Sequence, residues 1–157
     1  ESYANSNLPQ KKIHLVILGT GEEQDKLEKK ILDLKIETKV HLFGFKENVW
    51  DYISNAKFSV LSSQYEGFPM TILESLSLGI PVISFDCESG PNEMIINNHN
   101  GILVENQNFT ELTHKMNIFV EDEILYQNCK NNSVSSVAKF QSEVVVNQWL
   151  QMLNYGN

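Results

Sequence analysis

Short apolar runs alternate with amphipathic helical segments along this chain, and the alternation limits the folds that it can adopt. Residues 13–18 (IHLVIL) are continuously apolar, as expected for a strand that is buried on both faces of a parallel sheet. The run ends in Gly19-Thr20-Gly21, and residues 22–35 then place apolar side chains at helical spacing behind an acidic start. The sequence therefore predicts a strand, a glycine turn and a helix.

The alternation continues through the first two thirds of the chain. It predicts four more strands and two more helices: strands at 39–43, 57–62, 81–85 and 102–104, and helices at 47–56 and 71–79. Strands that alternate with helices indicate an α/β fold, a Rossmann-like parallel sheet with helices on both faces. A run of helices without strands is expected to follow and to cover one end, at 109–121, 122–138 and 141–154. The 157 residues fit one domain.

The charged and sulfur-containing residues exclude several kinds of site. The 12 basic residues are all lysines and face 20 acidic ones, a net charge of −8, so nucleic acid would be repelled. Any bound phosphate has to be held by lysine, by backbone N–H groups or by a helix N-terminus. Because the histidines and cysteines form no metal-ligand spacing, we expect no metal site, and we expect Cys87 and Cys129 to be reduced.

The start of the chain carries no targeting signal that the sequence reveals. Residues 1–12 form a polar leader, and no apolar run approaches the ~18 residues of a membrane span. We therefore expect neither a signal peptide nor a transmembrane helix. We expect the protein to be cytoplasmic.

Ligands of open parallel sheets bind at the carboxyl ends of the strands. Those ends are predicted at Gly19-Thr20-Gly21, at 43–45, and in the loops 62–71 and 85–93. We expect these four loops to share one crevice.

The most informative segment is residues 66–82, EGFPMTILESLSLGIPV. Glu66 follows a predicted strand and Glu74 lies in the first turns of the next helix, so both carboxylates can face one crevice. The turn between them lifts backbone N–H groups toward that crevice, at the positive end of the helix. Such amides suit an anionic phosphate, and carboxylates accept hydrogen bonds from sugar hydroxyls. One loop thus offers donors for phosphate and acceptors for sugar.

Several segments in the same order resemble the retaining glycosyltransferases of family four, which have the GT-B architecture of two Rossmann-like domains facing a cleft. The resemblance covers about residues 13–120 and rests on a strand followed by Gly19-x-Gly21, VHLFGF (40–45), FSVLSSQYEGFPMTILESLSLGIPVI (58–83), SGPNEMI (89–95) and NGILV (100–104). It implies that residues 1–157 are the C-terminal, nucleotide-sugar-binding domain of such an enzyme.

The resemblance assigns roles within the predicted site. It implies that Glu74 accepts hydrogen bonds from the ribose hydroxyls of the donor nucleotide. Glu66, the catalytic residue, is implied to contact the donor sugar and the charge that develops at its anomeric carbon. The remaining residues are implied to line the base pocket, to permit close approach of the nucleotide, or to present amides and a hydroxyl to the sugar and distal phosphate: Gly19, Gly21, Phe43, Gly44, Lys46, Gly67, Phe68, Pro69, Met70 and Thr71.

The chemistry implied by the resemblance is transfer of a hexose or N-acetylhexosamine from a nucleotide-sugar, with a UDP-sugar favoured, to a glycan or lipid-linked acceptor. Charge placement stabilises the departing diphosphate and an oxocarbenium-like centre, so no metal or other cofactor is expected. The loop at 89–93 (SGPNE) is similar to that of members that build bacterial surface polysaccharides, which favours a bacterial enzyme of cell-envelope synthesis.

Two parts of such an enzyme have no counterpart in this sequence. The family's Arg and Lys that grip the diphosphate lie on a strand and loop before the segment that begins here at residue 13, and the acceptor-binding domain is expected before that point. We therefore expect a domain that is truncated at its N-terminal edge, binds donor weakly and transfers nothing alone. Any peripheral contact with the inner face of the plasma membrane is expected from the missing part, because this part is acidic.

Two other functions stay open. A sugar-nucleotide epimerase also uses two facing Rossmann-like domains, although the EGFP loop at residues 66–69 argues against it. A non-catalytic scaffold domain is the other alternative, and the presence of both Glu66 and Glu74 argues against it.

Overall fold

Five parallel strands form the framework of the computed structural model, which describes residues 1–154. Strands β1 (Leu15–Ile17) and β2 (Val40–Leu42) pair in one sheet. Strands β3 (Ser59–Leu61), β4 (Val82–Asp86) and β5 (Gly101–Glu105) pair in that order in a second sheet. Every pairing is parallel, and helices connect the strands, so the predicted Rossmann-like α/β fold is confirmed.

Helices surround both sheets. They are α1 (Ser2–Asn5), α2 (Gln24–Asp33), α3 (Val49–Ser54), α4 (Met70–Ser77), α5 (Pro91–Met94), α6 (Phe109–Glu121), α7 (Glu123–Ser136) and α8 (Ser142–Asn154), with a 3-10 turn at Ala138–Phe140. Two of them begin at side-chain caps: Asn108 accepts from the Glu111 amide and Asp122 from the Leu125 amide, each at 2.9 Å. The predicted helical run after residue 108 is confirmed.

Two apolar cores cover the opposite faces of β4. Ile83 and Phe85 point into the first core, where they meet Phe119 of α6, and Val82 points into the second, where it meets Ile72 of α4. Successive residues of a strand alternate between faces, so β4 is covered on both. Each of these side chains is at most 1 % exposed, and burial of one such side chain contributes about 1.5–3 kcal/mol.

The polar leader, residues 1–12, packs against the body of the domain. Tyr3 and Leu8 are buried in the first core. The Ser2 hydroxyl donates to the Phe109 carbonyl at 2.9 Å, and the Asn7 amide donates to the Asn117 side chain at 2.7 Å. The sequence did not reveal this packing, because the partners of this segment lie in α6, 107 to 110 residues further along the chain.

Within residues 1–154, no strand pairs with the edge of β1 that faces away from β2 or with the edge of β3 that faces away from β4. β1 pairs only with β2, and β3 only with β4. Val16, in the middle of β1, is 41 % exposed, and Val60, in the middle of β3, is 38 % exposed. The apolar sequence of β1 predicts burial on both faces, and the structure contradicts this because Val16 lines an open cleft of about 910 Å³.

Cys129 of α7 gives a test of the core. The thiol is fully buried, and burial raises its pKa to about 11 from an ordinary value of 9.0. Above about pH 9 the unfolded chain loses this proton while the folded chain keeps it, so the free energy of unfolding should fall as the pH rises from 9 toward 11. Denaturant unfolding across that range measures the fall.

The matched control is Cys129→Ala. Burial also raises the pKa of Tyr3 and of Tyr126, so part of the alkaline loss belongs to them and persists in the variant. A shallower loss in Cys129→Ala isolates the thiol, whereas parallel curves for the two proteins would contradict the prediction.

Candidate active site

The glycine loops after β1 and β2 are joined directly. The Gly19 amide donates to the Gly44 carbonyl at 2.8 Å. Both residues have positive φ, 109° for Gly19 and 66° for Gly44, a backbone conformation that favours glycine. The structure therefore brings together two of the four predicted loops, with Gly21 exposed beside them.

Aromatic rings form a partly exposed row next to these loops. Phe43 is 42 % exposed, and its ring centroid lies 5.7 Å from those of His41 and Tyr52. His41 in turn lies against His14, with a ring nitrogen of each 2.7 Å apart. Flat rings of this kind suit the face of a nucleotide base. The predicted base-pocket residue Lys46 is partly buried at the same end of β2.

The other two predicted loops also contact each other. The Ser89 hydroxyl donates to the backbone carbonyl of Glu66 at 2.7 Å. Gly90 fits against the same segment so closely that a Cβ there would lie 2.5 Å from Pro69 Cδ and 2.7 Å from the Gly67 oxygen. The loop that follows β4 therefore holds the loop that follows β3.

The loop that follows β3, residues 62–69, is called the motif loop below, and it is also held by residues from the C-terminal part of the chain. Phe68 packs edge-to-face on Phe140 with a centroid distance of 5.5 Å. Lys139 places its ammonium 4.9 Å from the Phe140 ring and donates to the Glu93 carbonyl at 3.0 Å. Sequence reasoning missed Ser89, Gly90 and Phe140 as supports of this loop: the glycine-proline pair at 90–91 marks a turn, but no local pattern connects Phe140 to Phe68.

The first turn of α4 presents free backbone amides. Pro69 is buried and precedes the helix without a side-chain cap, and its carbonyl accepts from the Ile72 amide at 3.0 Å. Across residues 1–154, the Met70 and Thr71 amides have no acceptor within hydrogen-bond distance. Both residues are exposed, so these amides are accessible to an anion at the helix N-terminus.

Glu66 and Glu74 lie on either side of these amides in the sequence. Glu66 is in the loop and Glu74 is in the second turn of α4, and both are partly buried. No ion pair or side-chain hydrogen bond within the described part of the chain involves either carboxylate. Their oxygens are therefore free to accept hydrogen bonds from a ligand.

The four predicted loops thus form two pairs, one on each sheet. The Gly19 and Gly44 loops make up one pair, and the Glu66 and Gly90 loops make up the other. A single crevice that contacts a ligand through both pairs stays a prediction. Over residues 1–154, no three or more His, Cys, Asp or Glu side chains are grouped so that they can hold a metal ion, and no helix is both long and apolar enough to cross a membrane.

Gly90→Ala is expected to displace the motif loop. The added Cβ would clash with Pro69 and with the Gly67 backbone, and the positive φ of 93° is unfavourable for alanine. We expect a loss of about 2–4 kcal/mol in the free energy of unfolding, since strain and overpacking add. Denaturant unfolding measures the loss.

The control is Gly21→Ala, where an added Cβ meets nothing within 4 Å and φ is not positive. That variant should stay within about 0.5 kcal/mol of the unsubstituted protein, or become slightly more stable. Equal stabilities for Gly90→Ala and Gly21→Ala would show that the two loops do not pack as the structure has them.

Comparison with known proteins identifies relatives over most of the chain. The family described as Glycosyl transferases group 1 matches residues 2–135. A poly(ribitol-phosphate) alpha-N-acetylglucosaminyltransferase of Staphylococcus aureus is 30% identical over 139 residues, which are 88% of this chain and 28% of that protein. A lipopolysaccharide 1,6-galactosyltransferase of Salmonella typhimurium is 37% identical over 117 residues, 72% of this chain and 33% of that protein.

A solved structure shows the same fold. The crystal structure of a Staphylococcus aureus TarM mutant in complex with fondaparinux, alpha-GlcNAc-glycerol and UDP superposes with a TM-score of 0.88 at 27% sequence identity. The match covers 98% of this chain and 31% of that chain. This chain therefore spans about a third of the length of the relatives that it matches.

Proposed function

This chain belongs to the glycosyl transferases of group 1, and from that premise we propose that it binds the nucleotide-sugar donor of a transferase. The donor is a UDP-sugar that carries a hexose or an N-acetylhexosamine. The acceptor is a glycan or a lipid-linked acceptor, and the anomeric configuration is retained. The UDP bound in the related TarM structure and the names of both curated relatives support this choice of donor and acceptor class.

The observation that carries the proposal is the motif loop, where free amides lie between two unpaired carboxylates. The amides of Met70 and Thr71 suit the diphosphate, because neutral donors at a helix N-terminus attract an anion without adding a lysine or arginine. Glu74 accepts hydrogen bonds from the ribose hydroxyls, and Glu66 contacts the sugar. Gly67, Phe68 and Pro69 shape the backbone between them.

The glycine loops of the other sheet complete the donor site in this proposal. The joined Gly19 and Gly44 loops leave room for close approach of the nucleotide, with Gly21 at their edge. Phe43 stacks with the base, and Lys46 borders it.

The chemical step rests on charge placement and uses no metal. As the bond between the anomeric carbon and the distal phosphate oxygen breaks, the electron pair stays on the diphosphate, which faces the amides of α4. The acceptor hydroxyl oxygen bonds to the anomeric carbon on the face that the diphosphate leaves, and its proton passes to the departing diphosphate oxygen. The positive charge that develops at the anomeric carbon faces the Glu66 carboxylate. Preorganised donors and charges of this kind lower a barrier because they need no reorganisation during the reaction.

The acceptor side belongs to polypeptide outside these 157 residues. We propose that the complete enzyme works in the bacterial cytoplasm on a cell-surface glycan and contacts the inner face of the plasma membrane through that other part. The net charge of −8 makes this domain unsuited to an anionic membrane surface. Alone, the domain binds donor weakly and transfers nothing.

Glu74→Ala is expected to weaken UDP binding. Loss of a charged hydrogen-bond acceptor from ribose should cost about 1.5–3 kcal/mol, roughly a tenfold to hundredfold rise in Kd. Titration calorimetry with UDP, on this chain and on the longer natural polypeptide, measures the change. Glu37→Ala, which removes an exposed carboxylate remote from the loops, should bind UDP as the unsubstituted protein does. If Glu74→Ala matches this control, the ribose assignment is lost.

Glu66→Gln is expected to slow transfer much more than it weakens binding. The substitution keeps the size of the side chain and removes its charge, so kcat should fall roughly 10²- to 10³-fold with little change in KM. The assay measures transfer by the longer natural polypeptide in excess chelator, where the unsubstituted enzyme should keep its activity.

Glu88→Gln is the matched control for Glu66→Gln, because Glu88 is an exposed carboxylate in the neighbouring loop. An unchanged kcat in Glu66→Gln would remove its catalytic role, and loss of activity in chelator would contradict the metal-free mechanism. Nuclear magnetic resonance of the product identifies its anomeric configuration. A donor epimer formed without acceptor would favour the epimerase alternative.

A further inference from the structure

Two residues of the 3-10 turn that follows α7 contact both loops on the second sheet. The Phe140 ring meets Phe68 edge-to-face, with a centroid distance of 5.5 Å and an interplanar angle of 74°. The Lys139 ammonium donates to the Glu93 carbonyl at 3.0 Å. Phe68 belongs to the motif loop, and Glu93 belongs to α5, which directly continues the loop after β4. Lys139 and Phe140 are called the clamp below, because one turn holds both loops.

The clamp is itself anchored in the body of the domain. Phe140 packs against the second core, where Val137, three residues earlier, is 5 % exposed. The Lys139 ammonium also lies 4.9 Å from the Phe140 ring, so the cation and the ring restrain each other. The carbonyl that Lys139 reaches lies near the end of α5, where carbonyls lack partners within the helix. The clamp therefore connects a packed core to two irregular loops.

The two candidate carboxylates are supported in different ways, and Glu74 has supports of its own. It lies on α4, a helix that buries Ile72 and Leu76 in the second core. The helix is also fixed to β3 by a hydrogen bond of 2.6 Å between the Ser75 and Ser59 hydroxyls. Loss of the clamp should therefore leave the position of Glu74 unchanged.

Glu66 depends on the loops. It lies outside helix and strand, and its backbone carbonyl accepts from the Ser89 hydroxyl. Two residues further along, the Phe68 ring is 44 % exposed and packs on Phe140. Loss of the Phe140 ring removes this contact, so the backbone from Glu66 to Phe68 gains freedom to move. A displacement of about 1 Å at a reacting group can lower a rate about 100-fold.

We propose that the clamp is a positioning element for sugar transfer. Phe140 acts through Phe68 to hold Glu66 toward the donor sugar. Lys139 keeps the loop that follows β4 against the motif loop. The proposal rests on the donor site proposed above, and it makes the clamp a determinant of the rate of transfer. Affinity for UDP itself, which depends on Glu74, on the amides of α4 and on the glycine loops, should not depend on the clamp.

Phe140→Leu tests the proposal in the longer natural polypeptide. The variant should lower kcat by roughly 10- to 100-fold, while the Kd of UDP, measured by titration calorimetry, changes by less than about twofold. Phe140→Tyr keeps the ring and should restore most of the rate. Lys139→Met keeps the apolar stem and removes the hydrogen-bond donor, so kcat should fall about threefold. A rise in the Kd of UDP that matches the fall in kcat would overturn the proposal.

Phe58→Leu is the matched control. Phe58 also forms an edge-to-face pair, with Phe119 at a centroid distance of 5.5 Å, but it lies against the first core at the amino end of β3. The two leucine variants lose the same kind of ring contact and should lower Tm to a similar extent. Only Phe140→Leu should lower kcat. Equal kcat values in the two variants would make Phe140 a purely structural residue and overturn the proposal.

A double-mutant cycle tests whether Phe140 acts through Phe68. In a protein that already carries Phe68→Leu, Phe140→Leu should change kcat by about twofold or less, because the route to Glu66 is already broken. Effects of the two substitutions that multiply would show that the rings act independently, which overturns the proposed route.

Thiol labelling reports the position of the loops without a nucleotide. Cys87, in the loop after β4, is 2 % exposed, and Cys129, in the first core, is fully buried. A thiol reagent therefore detects opening of the loops at Cys87 and global unfolding at Cys129, and mass spectrometry of the two peptides separates them. Phe140→Leu should speed up labelling of Cys87 roughly 10-fold more than labelling of Cys129. Phe58→Leu should not favour Cys87, and an unchanged ratio in Phe140→Leu overturns the proposal.

The outcomes separate this proposal from the donor-site proposal. Preferential opening at Cys87 with an unchanged kcat in an active enzyme overturns the positioning role and leaves the donor site intact. An unsubstituted polypeptide that binds no UDP overturns the donor site, and the positioning role that rests on it is lost at the same time.

Discussion

The parallel pairing of β4 with β3 on one side and β5 on the other determines the positions of the other elements. Gly101 allows this pairing at β5, because a Cβ there would lie 2.3 Å from the Val82 carbonyl oxygen. β3 ends opposite Ser84, two residues before the end of β4, so the loops that follow β3 and β4 leave the same end of the sheet. Ser89 and Gly90 can therefore reach the backbone of Glu66 and Gly67, and the neighbouring loop helps to hold the motif loop in place.

The acidic character of the chain and its candidate site are compatible for a simple reason. A domain with a net charge of −8 and no arginine has few side chains for holding a diphosphate. Backbone amides at the start of α4 carry partial positive charge regardless of composition, and they leave Glu66 and Glu74 free of competing cations. The two carboxylates can then serve as acceptors for sugar hydroxyls.

Local sequence patterns predicted much of the fold. β4 and α4 were predictable because an apolar run and a helical repeat can each be recognised within about ten residues of sequence. Such elements are buried against both faces of a sheet whatever the order of its strands. The EGFPMTILES segment likewise carries its own turn and helix start. The covering of Tyr3 by α6 and of Phe68 by Phe140 was not predictable, because each depends on residues far along the chain and neither partner has a distinctive pattern.

The exposure of β1 is a different kind of discrepancy. Its apolar sequence predicts burial, yet Val16 is 41 % exposed, because within residues 1–154 β1 pairs only with β2 and Val16 lines an open cleft. A local apolar pattern can predict a strand, but it cannot predict which other elements cover that strand.

The hydrogen bonds between the start of the chain and α6 also bear on how the domain is made. Ser2 and Asn7 bond to residues that are 107 and 110 positions later, so the leading segment has no place to dock until α6 has been synthesised. At the usual pace of 5–20 residues per second, a ribosome needs roughly 5–20 s to reach that point. During this interval β1 and β2 expose apolar side chains and open strand edges, and such a nascent chain is prone to aggregate until α6 is complete.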